Sequence, residues 1–219
     1  MEDQIILVDK PAGISSFGVV AKVRGFLKAK FGHKVKVGHT GTLDPFATGL
    51  LIILSGKMTK KSNEFLKLDK EYEATLKLGF VSNTGDVEGE LTKVRDDLVP
   101  TRDEIEGALE SFVGVISQTP PKYSAIKING VRAYKLARKN QDFEIPSREV
   151  TIYGIEIMSY KYPELSLRCK VSSGTYIRTL AEDIGKELGT GAYLTALRRT
   201  QVGEYNVNDA VKLEQFRQE

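Results

Sequence analysis

Cysteine occurs once in the 219 residues and histidine twice. A lone thiol, Cys169, cannot close an internal disulfide, and so few sulfur and imidazole ligands argue against a structural zinc site. Cys169 lies in an apolar-alternating run and is expected as a buried strand residue. No apolar run approaches the length of a membrane span; the best candidate, Leu50 to Leu54, is strand-sized. The opening Met1-Glu2-Asp3-Gln4 is short and acidic, unlike a secretory leader. These absences fit a reducing, cytoplasmic setting. With 41% hydrophobic and 28% charged residues, the chain reads as one large globular domain, or one domain with a small insertion.

The most informative absence is of negative charge. Between Lys10 and Asn63 there are ten Lys and Arg and a single acid, Asp44. The chain has 29 Asp and Glu in all, so simple proportion would place about seven in a stretch of that length. From Ser111 to Gln141 there is again no acid, against six bases: Lys122, Lys127, Arg132, Lys135, Arg138 and Lys139. Between the two tracts, Asp86 to Glu110 holds nine acids and three bases. The net charge is only +3, but its segregation predicts a phosphate-binding face if the two tracts converge. Single lysines, such as those of a helix over Val131 to Lys139, are also explained by solvation alone.

The chain alternates short elements without repeats or linkers. Ile5 to Val8 reads as a strand and Pro11-Ala12-Gly13 as a turn. Ser15 or Ser16 caps a helix to about Phe31. Its apolar face is expected to hold Phe17, Val20, Ala21, Phe26 and Leu27, with Lys22, Lys28 and Lys30 outward. A buried strand at Leu50 to Leu54 precedes a short basic helix, Lys57 to Leu66. Glu71 to Leu78 alternates Tyr72, Ala74, Leu76 and Leu78 against polar residues, as a strand does. Thr101 with Glu104 is a capping box opening a helix to about Phe112. Ile126 to Gly130 ends a strand in a turn. Val150 to Met158 and Leu165 to Val171 are strands flanking Tyr162-Pro163. Gly174 to Leu188 reads as a helix stopped by Gly189, Tyr193 to Val202 as a strand, and Asn208 as the cap of a last short helix. Strands following strands without long crossovers predict an α+β fold around a mainly antiparallel sheet.

Asp44 lies within Gly38-His39-Thr40-Gly41-Thr42-Leu43-Asp44-Pro45-Phe46-Ala47-Thr48-Gly49. No GK[ST] closes this run, so it is not a P-loop, and the GxGxxG spacing of a dinucleotide site is absent. What remains is a carboxylate next to Pro45, in a loop between a basic helix and a buried strand, with glycines that let a substrate backbone approach. Asp before Pro also serves as a turn cap. On charge pattern alone the chemical and the structural readings of Asp44 both stand.

The run GHTGTLDPFATGLL resembles the catalytic motif of the TruB family, the bacterial tRNA uridine-55 pseudouridine synthases. Four further stretches resemble that family's motifs in the same order: ILVDKPAGISS, KEYEATLKLGFVSNTGDVEG, QTPPKYSAIKINGVRAYKLAR, and SSGTYIRTLAEDIG followed by LRRTQVG. Together they extend over about residues 5 to 203. The resemblance implies the pseudouridine synthase fold, and an isomerase of tRNA that uses neither cofactor nor metal. The N1–C1′ bond of a uridine is broken, the base turns, and C5 is joined to C1′.

The same resemblance implies roles for individual residues. Asp44 corresponds to the essential carboxylate, acting either as nucleophile on the sugar or as base on a sugar proton. Tyr72 corresponds to the tyrosine that stacks on the base and helps remove the C5 proton. Arg178 corresponds to the arginine paired with that Asp. Leu197 packs beneath the base and Tyr176 lines the same pocket. His39 fills the space left by the flipped nucleotide, and Lys10 and Lys60 lie near RNA or the active site. Each has a plainer reading: Tyr72 and Leu197 as core residues, Arg178 as a surface residue of a helix start, where a cation is disfavoured, and His39 as a turn residue.

TruB proteins usually carry a C-terminal RNA-binding PUA domain. We expect residues 1–219 to be the catalytic domain without it. The Phe46-Ala47-Thr48 sequence after Asp44-Pro45 resembles the stand-alone bacterial type rather than relatives that work in guide-RNA particles. The expected partner is the tRNA T arm, with no protein partner, no membrane, and a monomeric state. Two other classes stay open from the residues alone. A non-catalytic RNA-binding or RNA-folding module would have no need of Asp44. A glycosidic hydrolase would need a second carboxylate, which the motif lacks.

Overall fold

A computed structural model describes residues 2–95, 97–128, 130–139 and 141–216. The chain divides into two compact units, residues 1–72 with 197–219, and residues 73–196.

The first unit is built on the strand Thr48–Ser55. It runs antiparallel to Ile5–Lys10, with Ile5 opposite Leu54 and Lys10 opposite Gly49, and antiparallel to Val37–His39, with His39 opposite Ile53. It is parallel to the end of the strand Ala192–Val202, where Arg199 pairs with Gly49. Ile5–Lys10 is in turn parallel to Val211–Lys212. The unbroken apolar run of Leu50 to Leu54 follows from burial on both faces. Leu51 and Ile53 pack with Val8, Val19, Val20, Val23 and Leu27 on one side, and Leu50, Ile52 and Leu54 with Phe65, Val202 and Val207 on the other.

Helix Ser16–Phe31 starts at Ser15, whose hydroxyl accepts from the Gly18 amide, and stops at Gly32 with φ of 74°. Its buried residues are Ser16, Val19, Val20, Val23 and Leu27. Phe17 and Ala21, expected on the apolar face, are instead exposed, Phe17 by 65%. The helix is rotated because Ser16 is drawn inward by Leu43. The expected basic helix of Lys57 to Leu66 is a 3₁₀ segment, Gly56–Lys61, continued by an α-turn, Ser62–Leu66. At the chain end Asn206, not Asn208, is the cap: its side chain accepts from the Asn208 amide and opens the 3₁₀ turn Val207–Asp209.

In the second unit the sheet order is the start of Ala192–Val202, the body of Lys70–Leu78, Glu164–Val171, Arg148–Lys161 and Gly114–Gln118. Arg148–Lys161 is antiparallel to both neighbours. Cys169 is buried within this sheet, as its alternation predicts. Helix Arg102–Glu110 carries the expected capping box, with Thr101 and Glu104 satisfying each other's amides. Of the strand and turn expected over Ile126 to Gly130, Lys127–Ile128 is a strand and Asn129 lies outside the described residues. Val131–Arg132 pairs back antiparallel and leads into a helix only over Ala133–Ala137, shorter than the expected Val131 to Lys139. Helix Ile177–Glu187 starts three residues later than Gly174, because Ser172 to Thr175 first forms a turn. Gly185 lets this helix sit against the Ala192 backbone, where a Cβ would lie 2.2 Å from the Ala192 nitrogen.

Candidate active site

In the first unit, Asp44 is partly exposed in the loop between Val37–His39 and Thr48–Ser55. Its neighbours are fixed on both sides. Before it, the buried Leu43 is held through both backbone groups by Ser16: the Leu43 amide donates to Ser16 Oγ at 2.8 Å, and Ser16 Oγ donates to the Leu43 carbonyl at 2.9 Å. After it, the Pro45 carbonyl accepts from the Gly13 amide at 2.8 Å and from Lys10 Nζ at 3.1 Å. The Asp44 carbonyl closes a turn by accepting from the Ala47 amide at 3.2 Å. The motif Lys10-Pro11-Ala12-Gly13-Ile14-Ser15-Ser16 thus serves as a clamp on the Asp44 loop. A loop backbone so held leaves the residue it carries with less freedom to lose on meeting a substrate.

Lys10, predicted near the substrate, is fully buried. Its ammonium also donates to the Pro11 and Ile14 carbonyls, at 2.9 and 2.8 Å. These contacts tie Lys10 to both ends of the turn after its strand and to the Asp44 loop. Lys60 is exposed on the 3₁₀ segment and able to meet a polyanion. His39, half-buried, ends its strand with Nδ1 accepting from the Gly41 amide at 3.3 Å.

Tyr72 is buried, 8% exposed, on the face of Lys70–Leu78 that also carries Lys70, Ala74, Leu76 and Leu78. Leu197 is buried to the same degree, and its carbonyl faces Thr48 Oγ1 at 3.5 Å. Two arginines that follow Leu197 complete the first unit's framework. Arg199, 2% exposed, donates from Nε to the Leu50 carbonyl and from Nη2 to the Gly41 carbonyl, at 2.8 and 3.1 Å. Arg198 makes a two-pronged pair with Asp9, both contacts 3.0 Å. The Lys70 ammonium is bound by the Leu66 and Leu68 carbonyls, and burial, with the nearby Arg199 charge, pushes its pKa down to about 8 against an opposing pull from Asp69.

The second unit carries Tyr176 and Arg178. Gln118 spans both backbone groups of Tyr176: its Oε1 accepts from the Tyr176 amide at 2.8 Å and its Nε2 donates to the Tyr176 carbonyl at 3.1 Å. The Arg148 guanidinium lies 5.1 Å from the Tyr176 ring centre, within cation–π range. Arg178 is 5% exposed at the start of its helix, where a cation meets an unfavourable dipole. It is held there by the Thr84 carbonyl at 2.9 Å, the Tyr123 carbonyl at 2.8 Å and the buried Asp86 carboxylate at 3.4 Å. Asp86 accepts in turn from Thr84 Oγ1 and the Glu88 amide, at 2.7 and 3.0 Å. One turn after Arg178, burial pushes the Glu182 carboxyl up to about 7, helped by Asp183 and Asp86 and opposed by Arg178.

The charge pattern singles out Asp44 and the family resemblance adds Tyr72 and Arg178, but neither points to Ser16, Asp86, Gln118 or Arg199. All four lie inside the motifs that carried the resemblance. The usable signal was a polar residue within a short motif that no surface role required.

The TruB family pseudouridylate synthase N-terminal domain model matches residues 27–177. The chain belongs to the TruB family. The family's tRNA pseudouridylate synthase B C-terminal domain model matches residues 178–219. The tRNA pseudouridine synthase B of Phocaeicola vulgatus is 45% identical over 216 residues, 98% of this chain and 92% of that protein. The protein of the same name from Nitrosococcus oceani is 46% identical over 212 residues, 97% of this chain and 67% of that one. Among solved structures, a Cbf5-Nop10-Gar1 complex superposes with a TM-score of 0.71 and 31% identity, covering 97% of this chain. This TruB family chain spans about half of that longer one, 53%. Its fold is the pseudouridine synthase fold, α+β with a mixed sheet.

Proposed function

We propose that this chain isomerises uridine to pseudouridine in tRNA, at position 55 of the T loop, with Asp44 as the reacting carboxylate. The observation that carries the reading is the clamped Asp44 loop in a member of the TruB family. Asp44 acts on the ribose, as nucleophile at C1′ or as base on a sugar proton. In either route N1–C1′ breaks, uracil is retained and turned, C5–C1′ forms, and the C5 proton leaves with help from Tyr72. Arg178 orients Asp44 and favours its charged form. Leu197 and Tyr176 wall the base, and His39 takes the room the nucleotide leaves.

Extruding a stacked uracil costs a few kcal/mol. Stacking on Tyr72 and phosphate contacts from the basic tracts, Lys60 among them, offset that cost. The enzyme acts in the cytoplasm as a monomer on the RNA alone, without a protein partner, and residues 1–219 are its catalytic part. Among the described residues no helix is long and apolar enough to cross a membrane.

The test is incubation with an unmodified tRNA transcript and mapping of the product. Pseudouridine at position 55 supports the proposal. Free uracil would assign a hydrolase, and an unchanged transcript that is nevertheless bound would assign a binding module.

A further inference from the structure

Helix Ser16–Phe31 buries its valines and Leu27 yet leaves one aromatic residue outside, Phe17, 65% exposed. A single exposed apolar side chain is ordinary on a protein surface. Three observations set this one apart. The Arg24 guanidinium lies over its ring, 5.9 Å from the centre. Phe17, Ala21, Arg24 and Lys28 are all exposed, and their spacing of four, seven and eleven residues puts them on one stripe of the helix. The stripe begins beside Ser16, the residue that clamps Leu43 before Asp44.

We propose that this stripe is an RNA-contact surface beyond the reacting nucleotide. Phe17 stacks on an unpaired base, and Arg24 and Lys28 neutralise neighbouring backbone phosphates. The inference rests on the RNA reading above and deepens it by naming where flanking nucleotides lie. An aromatic face with a guanidinium already beside it suits a base attached to a phosphate, because each offers one half of what a nucleotide presents. Ala21 leaves the middle of the stripe low, so a strand can lie along it. From Phe17 to Lys28 the helix rises about 16 Å, enough for two to three nucleotides. No acid occurs in the helix or its first turn, and between Lys10 and Asn63 Asp44 is the only one, so a polyanion meets little repulsion here. A partner protein seeking an apolar face would find one ring and two cations.

The test is equilibrium binding of unmodified tRNA transcript to the full chain over a salt series, for wild type, Phe17→Ala, Phe17→Trp, and Arg24→Gln with Lys28→Gln. Phe17→Ala is expected to weaken binding by about 5- to 150-fold, the usual worth of one stacked base. Phe17→Trp, which keeps a π face, is expected to retain wild-type affinity. The double variant is expected to lower the slope of log K against log salt by about 1.4 to 1.8, two phosphates' worth. A Lys22→Gln control, off the stripe, is expected to lower it by no more than half as much.

Phe17→Ala affinity equal to wild type, or an equal loss from Lys22→Gln, overturns the proposal while leaving the TruB reading intact. A wild-type chain that does not bind tRNA overturns both.

Discussion

Asp44 is useful only if its carboxylate arrives in one place, and the peptide units flanking it are where that is arranged. Ser16 holds Leu43 through two hydrogen bonds and is itself 2% exposed. Ser16→Ala leaves a buried amide and carbonyl without that hydroxyl, a loss of about 1–3 kcal/mol. Urea denaturation should show that loss, and pseudouridine formation should slow because the loop is no longer fixed. Unchanged stability would mean the hydroxyl is dispensable. A pH effect belongs to Glu182. Its carboxyl is pushed up to about 7 in the fold against an ordinary 4.5, so the folded state binds that proton more tightly than the unfolded chain. Stability from this group is therefore greatest below pH 4.5, falls as pH rises toward 7, and is lowest above it. Glu182→Gln removes the dependence. Urea midpoints at pH 5 and pH 8 should lie closer together in the variant than in wild type; an unchanged gap would rule this group out.

At the scale of elements, the strand pairing that supports the Asp44 loop depends on a missing side chain. Gly49 has φ of 101°, and a Cβ there would lie 2.3 Å from the Arg199 carbonyl oxygen. Gly49→Ala should therefore cost at least about 2 kcal/mol, from backbone strain and collision together, read as a lower thermal midpoint. A variant as stable as wild type would mean that these strands separate more easily than their register implies. Elements with a local code were legible beforehand. The Ser15 cap, the Thr101–Glu104 box, the Tyr72–Leu78 alternation and the doubly buried Leu50 to Leu54 all follow from residues within one or two turns of each other. Phe17 was misplaced because helical period does not say which arc faces inward. Here a serine, drawn in by Leu43, outranks a phenylalanine. Asn208 was misread because an asparagine two residues earlier fits the same turn.

Across the whole molecule, acid-poor and acid-rich segments follow one another along the chain, with the first basic tract in one compact unit and the second in the other. That charge pattern by itself points to a polyanion. The motifs added the family, and the family model matches bore it out. What the sequence could not reveal is what holds the machinery. Arg178 is anchored by Thr84, Asp86 and Tyr123, 94, 92 and 55 positions away along the chain, and no local pattern encodes such a set. The buried ammonium of Lys10 likewise meets the Pro45 carbonyl, 35 positions away, only in the fold. The central claim is that a fixed Asp44 carboxylate does the chemistry on a bound uridine. It is tested most directly by measuring, on one preparation of Asp44→Asn, both tRNA affinity and pseudouridine formed. We predict affinity close to wild type and turnover lower by at least about a thousandfold; turnover at the wild-type rate would contradict the account.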